Sequence, residues 1–160
     1  MDIKHFLISV LSGVAGTLGM TAVMYLYAAL SRQFTKVIHL LGGLLAGDPD
    51  FRKPHKNSLI LGTIAHFGVG VIFSFAYFLL WNWGIFRIDL LDSILIGAAS
   101  GVVAIIVWKS YLSLHHSPPN LSQTHYFIAL FLAHLVFGLI SVNVFQLITD
   151  NPELWFELQD

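Results

Sequence analysis

Two six-residue stretches, "AHFGVG" at Ala65–Gly70 and "AHLVFG" at Ala133–Gly138, hold the side chains best suited to chemistry. Each sets a histidine in an apolar run, with a glycine four residues later on the same helical face. Imidazole combines proton exchange near neutral pH, transition-metal ligation and hydrogen bonding as both donor and acceptor. Hydrocarbon surroundings disfavour its charged form, so His66 and His134 are expected to be neutral. Each ring then has one N–H and one lone pair that need partners.

Three readings of the pair follow. In the first, each ring bonds a carbonyl or hydroxyl on a neighbouring helix and acts as packing glue; Thr17, Thr21, Ser100 and several tyrosines are available. In the second, His66 and His134 clamp a haem b iron from both faces, Gly70 and Gly138 leave room for the macrocycle, and Lys109 meets a propionate. In the third, the pair marks a proton or substrate path in a small transporter. That path would be thinly lined, since the apolar runs have no central Asp or Glu and few polar positions: Ser74, Ser100, Ser110, Asn143 and Gln146.

The remaining histidines carry less. His39, His55, His115, His116 and His125 lie outside the longest apolar runs, without carboxylates or cysteines at ligand spacing, so no metal site is expected. A Ser-His-Asp arrangement, a phosphate loop and a zinc-binding helix are all missing, and no catalytic residue is assigned. The absence of cysteine excludes disulfides, thiolate metal sites and thiol catalysis. These features lean against an enzyme and towards a structural, assembly or interaction protein that needs no cofactor.

The elements that must position the two rings are set by composition. Of 160 residues, 56% are hydrophobic and only 11% charged, where a soluble domain averages about 25%. Apolar runs over residues 6–30, 59–81, 90–112 and 126–148 each supply the ~20 residues of helix that cross a bilayer. Helix is the sensible reading because an open strand at that depth leaves backbone groups unpaired. The chain therefore reads as a single all-α integral membrane domain over residues 1–160, with four transmembrane helices in one bundle. The first run is too long for a signal peptide and carries only Lys4 ahead of it, so it is expected to be retained.

The first connection adds a shorter element. Phe34, Val37, Ile38, Leu41 and Leu45 recur at helical spacing, predicting an amphipathic helix over residues 33–46 that lies in the membrane interface, weakened or bent by Gly42-Gly43. It serves as a surface connector or, alternatively, as a gate over a cavity. The following "GDPDFRKPHKNS" reads as loop.

Charge orients the bundle. The segments 31–58 and 113–125, with Lys109 nearby, gather Arg32, Lys36, Arg52, Lys53 and Lys56, against Asp48 and Asp50. The opposite side holds Lys4 and Arg87 against Asp2, Asp89, Asp92, Asp150, Glu153, Glu157 and Asp160. This positive-inside bias makes those two loops cytoplasmic and puts both termini outside, with Trp81, Trp83 and Trp155 in an outer aromatic belt. Arg52, Lys53 and Lys56 are candidates for anionic-lipid contact, and the basic residues are too few for nucleic acid. A homodimer is compatible with the sequence.

In this topology the two histidines sit at matching depth in parallel helices. Ala65-His66, Gly70, Ile72 and Leu79 recur at one constant offset as Ala133-His134, Gly138, Ile140 and Leu147. The first and third runs are alike in small residues, with Ser12 and Gly16, and Gly97 and Gly101, four apart as close helix packing requires. Two parallel-repeat hairpins are therefore expected, each a small-residue helix followed by a histidine helix.

The "GVAGTLGMTAVMYLY" opening, the "AHFGVGVIFSFAYFLLW" span and the "AHLVFGLI" span resemble a group of small bacterial inner-membrane proteins of unknown function. That group has four spans, a Gly-rich first helix and a histidine followed by glycine in spans two and four. Between spans three and four, "WKSYLSLHHSPPN" only approximates its pattern. The resemblance implies a fold and a membrane address and brings no activity.

Overall fold

The computed structural model describes residues 3–116 and 118–151, and every regular element among them is helical. Asp2, Trp155, Glu153, Glu157 and Asp160, used above for orientation, lie outside the described residues. Four helices are long and apolar enough to cross a membrane: α1 (Ile3–Ser31), α3 (Lys56–Asn82), α4 (Leu90–Leu114) and α5 (Gln123–Asp150). A short helix, α2 (Val37–Ala46), stands between the first two.

The long helices are apolar all round rather than striped. Leu18, Leu26, Ile64, Ile72, Val102, Ile106, Ile128 and Leu147 are exposed on their outer faces, which is the pattern of helices solvated by lipid. Polar ends extend them past the apolar runs. At α4 the Asp89 side chain accepts the Asp92 backbone N–H at 2.8 Å, and the Asp92 carboxylate accepts that of Arg87. Both acids thus serve the first turn, where the helix dipole also favours them.

Packing runs α3–α1–α5–α4 across the bundle, with α2 laid on α3, while α3 and α4 barely meet despite being consecutive in the chain. Glycine sets the close crossings. A Cβ on Gly13 would stand 2.8 Å from the Val71 backbone on α3, and one on Gly16 2.8 Å from the Phe137 ring on α5. A Cβ on Gly97 would lie 2.8 Å from the His134 carbonyl, and Gly101 is tight against Phe131 and His134. Ser12 is fully buried in the same α1 stripe.

Helix α2 begins at Val37, and residues 33–36 form a non-helical link. Thr35 ties that link to α1 by donating its hydroxyl to the Met24 carbonyl at 2.7 Å, so the chain cannot enter a helix until it has turned. Gly42-Gly43 does not break α2. Gly42 meets Gly62 of α3 backbone to backbone, and Gly43 packs under Phe51. The glycines are contact points. Gly47 then ends the helix in the left-handed region at φ 66°, its N–H returning to the Gly43 carbonyl.

Candidate functional site

His66 is ten residues into α3 and His134 eleven into α5, so both rings lie about 15 Å along their helices from the end of the bundle that carries α2. Both are buried, at 6% and 5% exposure. They line one cavity of about 320 Å³ between α3 and α4, backed by α5 and floored by Val37, Leu41 and Leu45 of α2. The other lining residues are almost wholly apolar, and Val69 and Val107 at its rim are exposed.

Hydrogen bonds fix which nitrogen of each ring carries the proton. Thr21 on α1 donates its hydroxyl to the Thr17 carbonyl at 2.6 Å. Its oxygen can then only accept from His66 Nε2, 3.0 Å away, so His66 is protonated at Nε2 and carries its lone pair on Nδ1. His134 Nδ1 lies 2.8 Å from the Leu130 carbonyl. A carbonyl accepts, so His134 is protonated at Nδ1 and carries its lone pair on Nε2. Neither lone pair has a hydrogen-bond partner among the described residues. The two rings hold opposite tautomers, each with one unused acceptor. Phe73 stacks edge-on to His134 at 5.9 Å between centroids, holding that ring against the cavity wall.

Towards the other end of the bundle, side chains close the gap between α3 and α4. Tyr77 is buried and donates to Ser100 Oγ at 2.7 Å, Ser100 itself donating to the Gly97 carbonyl. Phe137 packs on Tyr77 with centroids 5.7 Å apart, and Trp81 on Phe145 at 5.0 Å. Ser141 donates to Ser74 at 3.2 Å across α5 and α3. Ser110, Asn143 and Gln146 are on exposed faces.

The residues singled out from the sequence separate accordingly. His66, His134 and Gly70 line the cavity. Gly138 faces α4 instead, where an added Cβ would meet Ser93 and the Gly97 backbone, and Lys109 is exposed and outside the lining. Gly16, Gly97 and Gly101 lie at helix crossings, and Ser12 is buried. Arg52, Lys53 and Lys56 are all exposed, and the Arg52 guanidinium lies 5.5 Å over the Phe34 ring. No group of three His, Cys, Asp or Glu side chains that could hold a metal occurs among the described residues.

One feature of the floor was missed in the sequence. Asp48 is buried beyond the end of α2 and accepts from the His55 backbone N–H at 2.7 Å, the His55 ring at 2.8 Å and Ser58 Oγ at 2.9 Å. These donors, the His55 backbone first, hold its carboxyl well below the usual carboxylate range. The latch joins the end of α2 to the first turn of α3. Its signal was present as an aspartate followed by His55 and Ser58, seven and ten residues on. No family model matches the chain, and neither curated proteins nor solved structures provide a significant match.

Proposed function

We propose that the protein is a non-catalytic, interaction-type helix bundle of the bacterial inner membrane whose α3/α4 cleft receives a lipid-soluble molecule bearing a hydrogen-bond donor, such as a long-chain alcohol or a phenol. One observation carries this reading: two buried imidazoles line a single apolar cavity, each with an unpartnered acceptor nitrogen. An acceptor left unmade in an apolar cavity costs roughly 1–3 kcal/mol, so a guest whose hydroxyl donates to one of the two nitrogens has a specific gain over a plain lipid tail. The exposed rim residues Val69 and Val107 give entry from the bilayer side. In the same proposal both termini face outward, because Arg32, Lys36, Arg52, Lys53 and Lys56 gather at the α2 end. The two hairpins are copies in which Gly13 nests on Gly70 and Gly97 on Gly138.

A bis-histidine haem b is the second reading, since both rings share the cavity. It is the weaker one. The Nε2 hydrogen of His66 is committed to Thr21, Gly138 is filled by α4, and Lys109 is outside the lining. A through-path for solute gains less, because aromatic side chains close the seam beyond the cavity.

Native mass spectrometry and a visible spectrum of the purified protein separate these readings. The expected result is colourless protein that retains a lipid-soluble donor molecule, lost in His134→Phe, which keeps the bulk and removes the acceptor. A Soret band abolished by the same substitution would transfer the proposal to haem. Protein that is colourless and binds no added long-chain alcohol or phenol would reduce the histidines to packing.

A further inference from the structure

A second pocket, independent of the histidine cavity, lies where α1 ends. It has a volume of about 360 Å³ and is lined by Tyr25, Ala28 and Ala29 of α1, by Arg32, Phe34 and Lys36 of the link to α2, and by Arg52 from the loop before α3. Three cations meet there and no carboxylate is among the lining residues. No ion pair joins Arg32, Lys36 or Arg52 to an acid among the described residues. Asp50, the acid nearest in sequence to Arg52, accepts the backbone N–H groups of Arg52 and Lys53 at 3.0 Å. Two of the charges are propped on aromatic faces: Lys36 Nζ lies 5.7 Å from the Tyr25 centroid and the Arg52 guanidinium 5.5 Å from that of Phe34.

Helix-end electrostatics explains part of this. Cations suit the carboxyl end of α1, which accounts for Arg32, but not Lys36, the N-cap of α2, where the dipole disfavours a cation. It does not bring in Arg52, which belongs to a different loop. Uncompensated positive charges held together cost energy unless an anion joins them. The small Ala28 and Ala29 leave open the space between the charges, and the final turns of a spanning helix lie at the depth of lipid headgroups. Arginine and lysine together supply the donors that a phosphate group accepts.

We infer that the pocket ringed by Arg32, Lys36 and Arg52 binds the phosphate of one anionic phospholipid headgroup, fixing the turn between α1 and α2 to the membrane surface. Lys53 and Lys56, although as basic, take no part because neither lines the pocket.

The test uses the full chain in phosphatidylcholine nanodiscs doped with phosphatidylglycerol, with retained lipids counted by native mass spectrometry. One phosphatidylglycerol per chain is expected to be retained in preference to phosphatidylcholine. Arg52→Gln, an exposed loop change that leaves the helices intact, should cut that preference roughly fivefold, the factor for one basic residue near an anionic surface. Combining it with Arg32→Gln and Lys36→Gln should abolish the preference, and Lys53→Gln with Lys56→Gln should preserve it. Equal loss in the Lys53/Lys56 pair would show diffuse surface attraction and overturn the pocket, as would an unchanged preference in Arg52→Gln. A rise in melting temperature with inorganic phosphate alone, matched by no lipid retention, would assign the site to free phosphate and overturn the lipid assignment.

Discussion

The α1/α5 seam and the α3/α4 seam are built from the same kind of sequence and end differently. On α1, Gly13 faces α3 while Gly16 and Gly19 face α5, so one helix approaches two neighbours closely. On α4, Gly97 and Gly101 both face α5, and the side turned to α3 carries Ala104, Val107 and Trp108. Opposite them α3 presents Val69 and Phe73. Backbones approach where side chains are absent and are held apart where rings stand between them. Tyr77 fills the part of the gap away from α2 and bonds Ser100; the part nearer α2 is left open beside the two histidines. A cavity in a membrane bundle arises here from where the small residues are not.

The largest expected effect comes from breaking the tight seam. Gly16→Val places branched carbons into the Phe137 ring and carbonyl, and should lower stability in micelles by about 3 kcal/mol, the upper range for overpacking. Denaturant titration of the refolded protein measures it. A variant as stable as wild type would mean that α1 and α5 are not in contact as described.

Loss of the link from the cavity to α1 should be smaller. His66→Ala strands the Thr21 oxygen and should cost roughly 0.6–1.7 kcal/mol, the range for interhelical hydrogen bonds in membranes. Thr21→Val should cost the same, and the double variant no more than either alone, because both remove one bond.

The latch between α2 and α3 should respond to pH. The folded Asp48 carboxyl is held below its unfolded value of about 4. Its contribution is therefore complete above that value and is lost as pH falls through the lower folded one. Protease resistance of the loop at residues 47–55 should be constant from about pH 5 to 8 and decline only below about pH 4. Asp48→Asn should give a less resistant loop and remove the decline at low pH. An unchanged decline in that variant would assign the transition to another group.

The smallest effect tests the open seam. Ala104 lines the cavity, so Ala104→Leu should grow into empty space and change stability by less than about 0.5 kcal/mol, while displacing any guest. A penalty as large as that of Gly16→Val would show that the two seams are equally close.

Much of this was legible in the residues. Uninterrupted apolar runs announce spanning helices because lipid forbids other backbones, and the H-x3-G register placed His66 and His134 at one depth. Thr21 was among the foreseen partners of His66, and Gly16, Gly97 and Gly101 lie against neighbouring helices. Three things were not legible. Whether Gly138 opens to a cavity or abuts α4 depends on rotation about the α5 axis, which an all-apolar helix does not encode in its periodicity. The role of Gly42 required knowing that Gly62 of another helix lies against it. Asp48 looked like one more loop charge because its donors, His55 and Ser58, are brought to it only by the turn between α2 and α3.

The opposite tautomers of the two buried rings test the central claim most directly. Solid-state ¹⁵N spectra of histidine-labelled protein in bilayers, assigned through His66→Ala and His134→Phe, report protonation nitrogen by nitrogen. His66 should carry its proton on Nε2 and His134 on Nδ1, with the bare nitrogen that accepts the hydroxyl shifting when a lipid-soluble phenol is added. Two rings in the same tautomer, or bare nitrogens indifferent to every added donor, would contradict it.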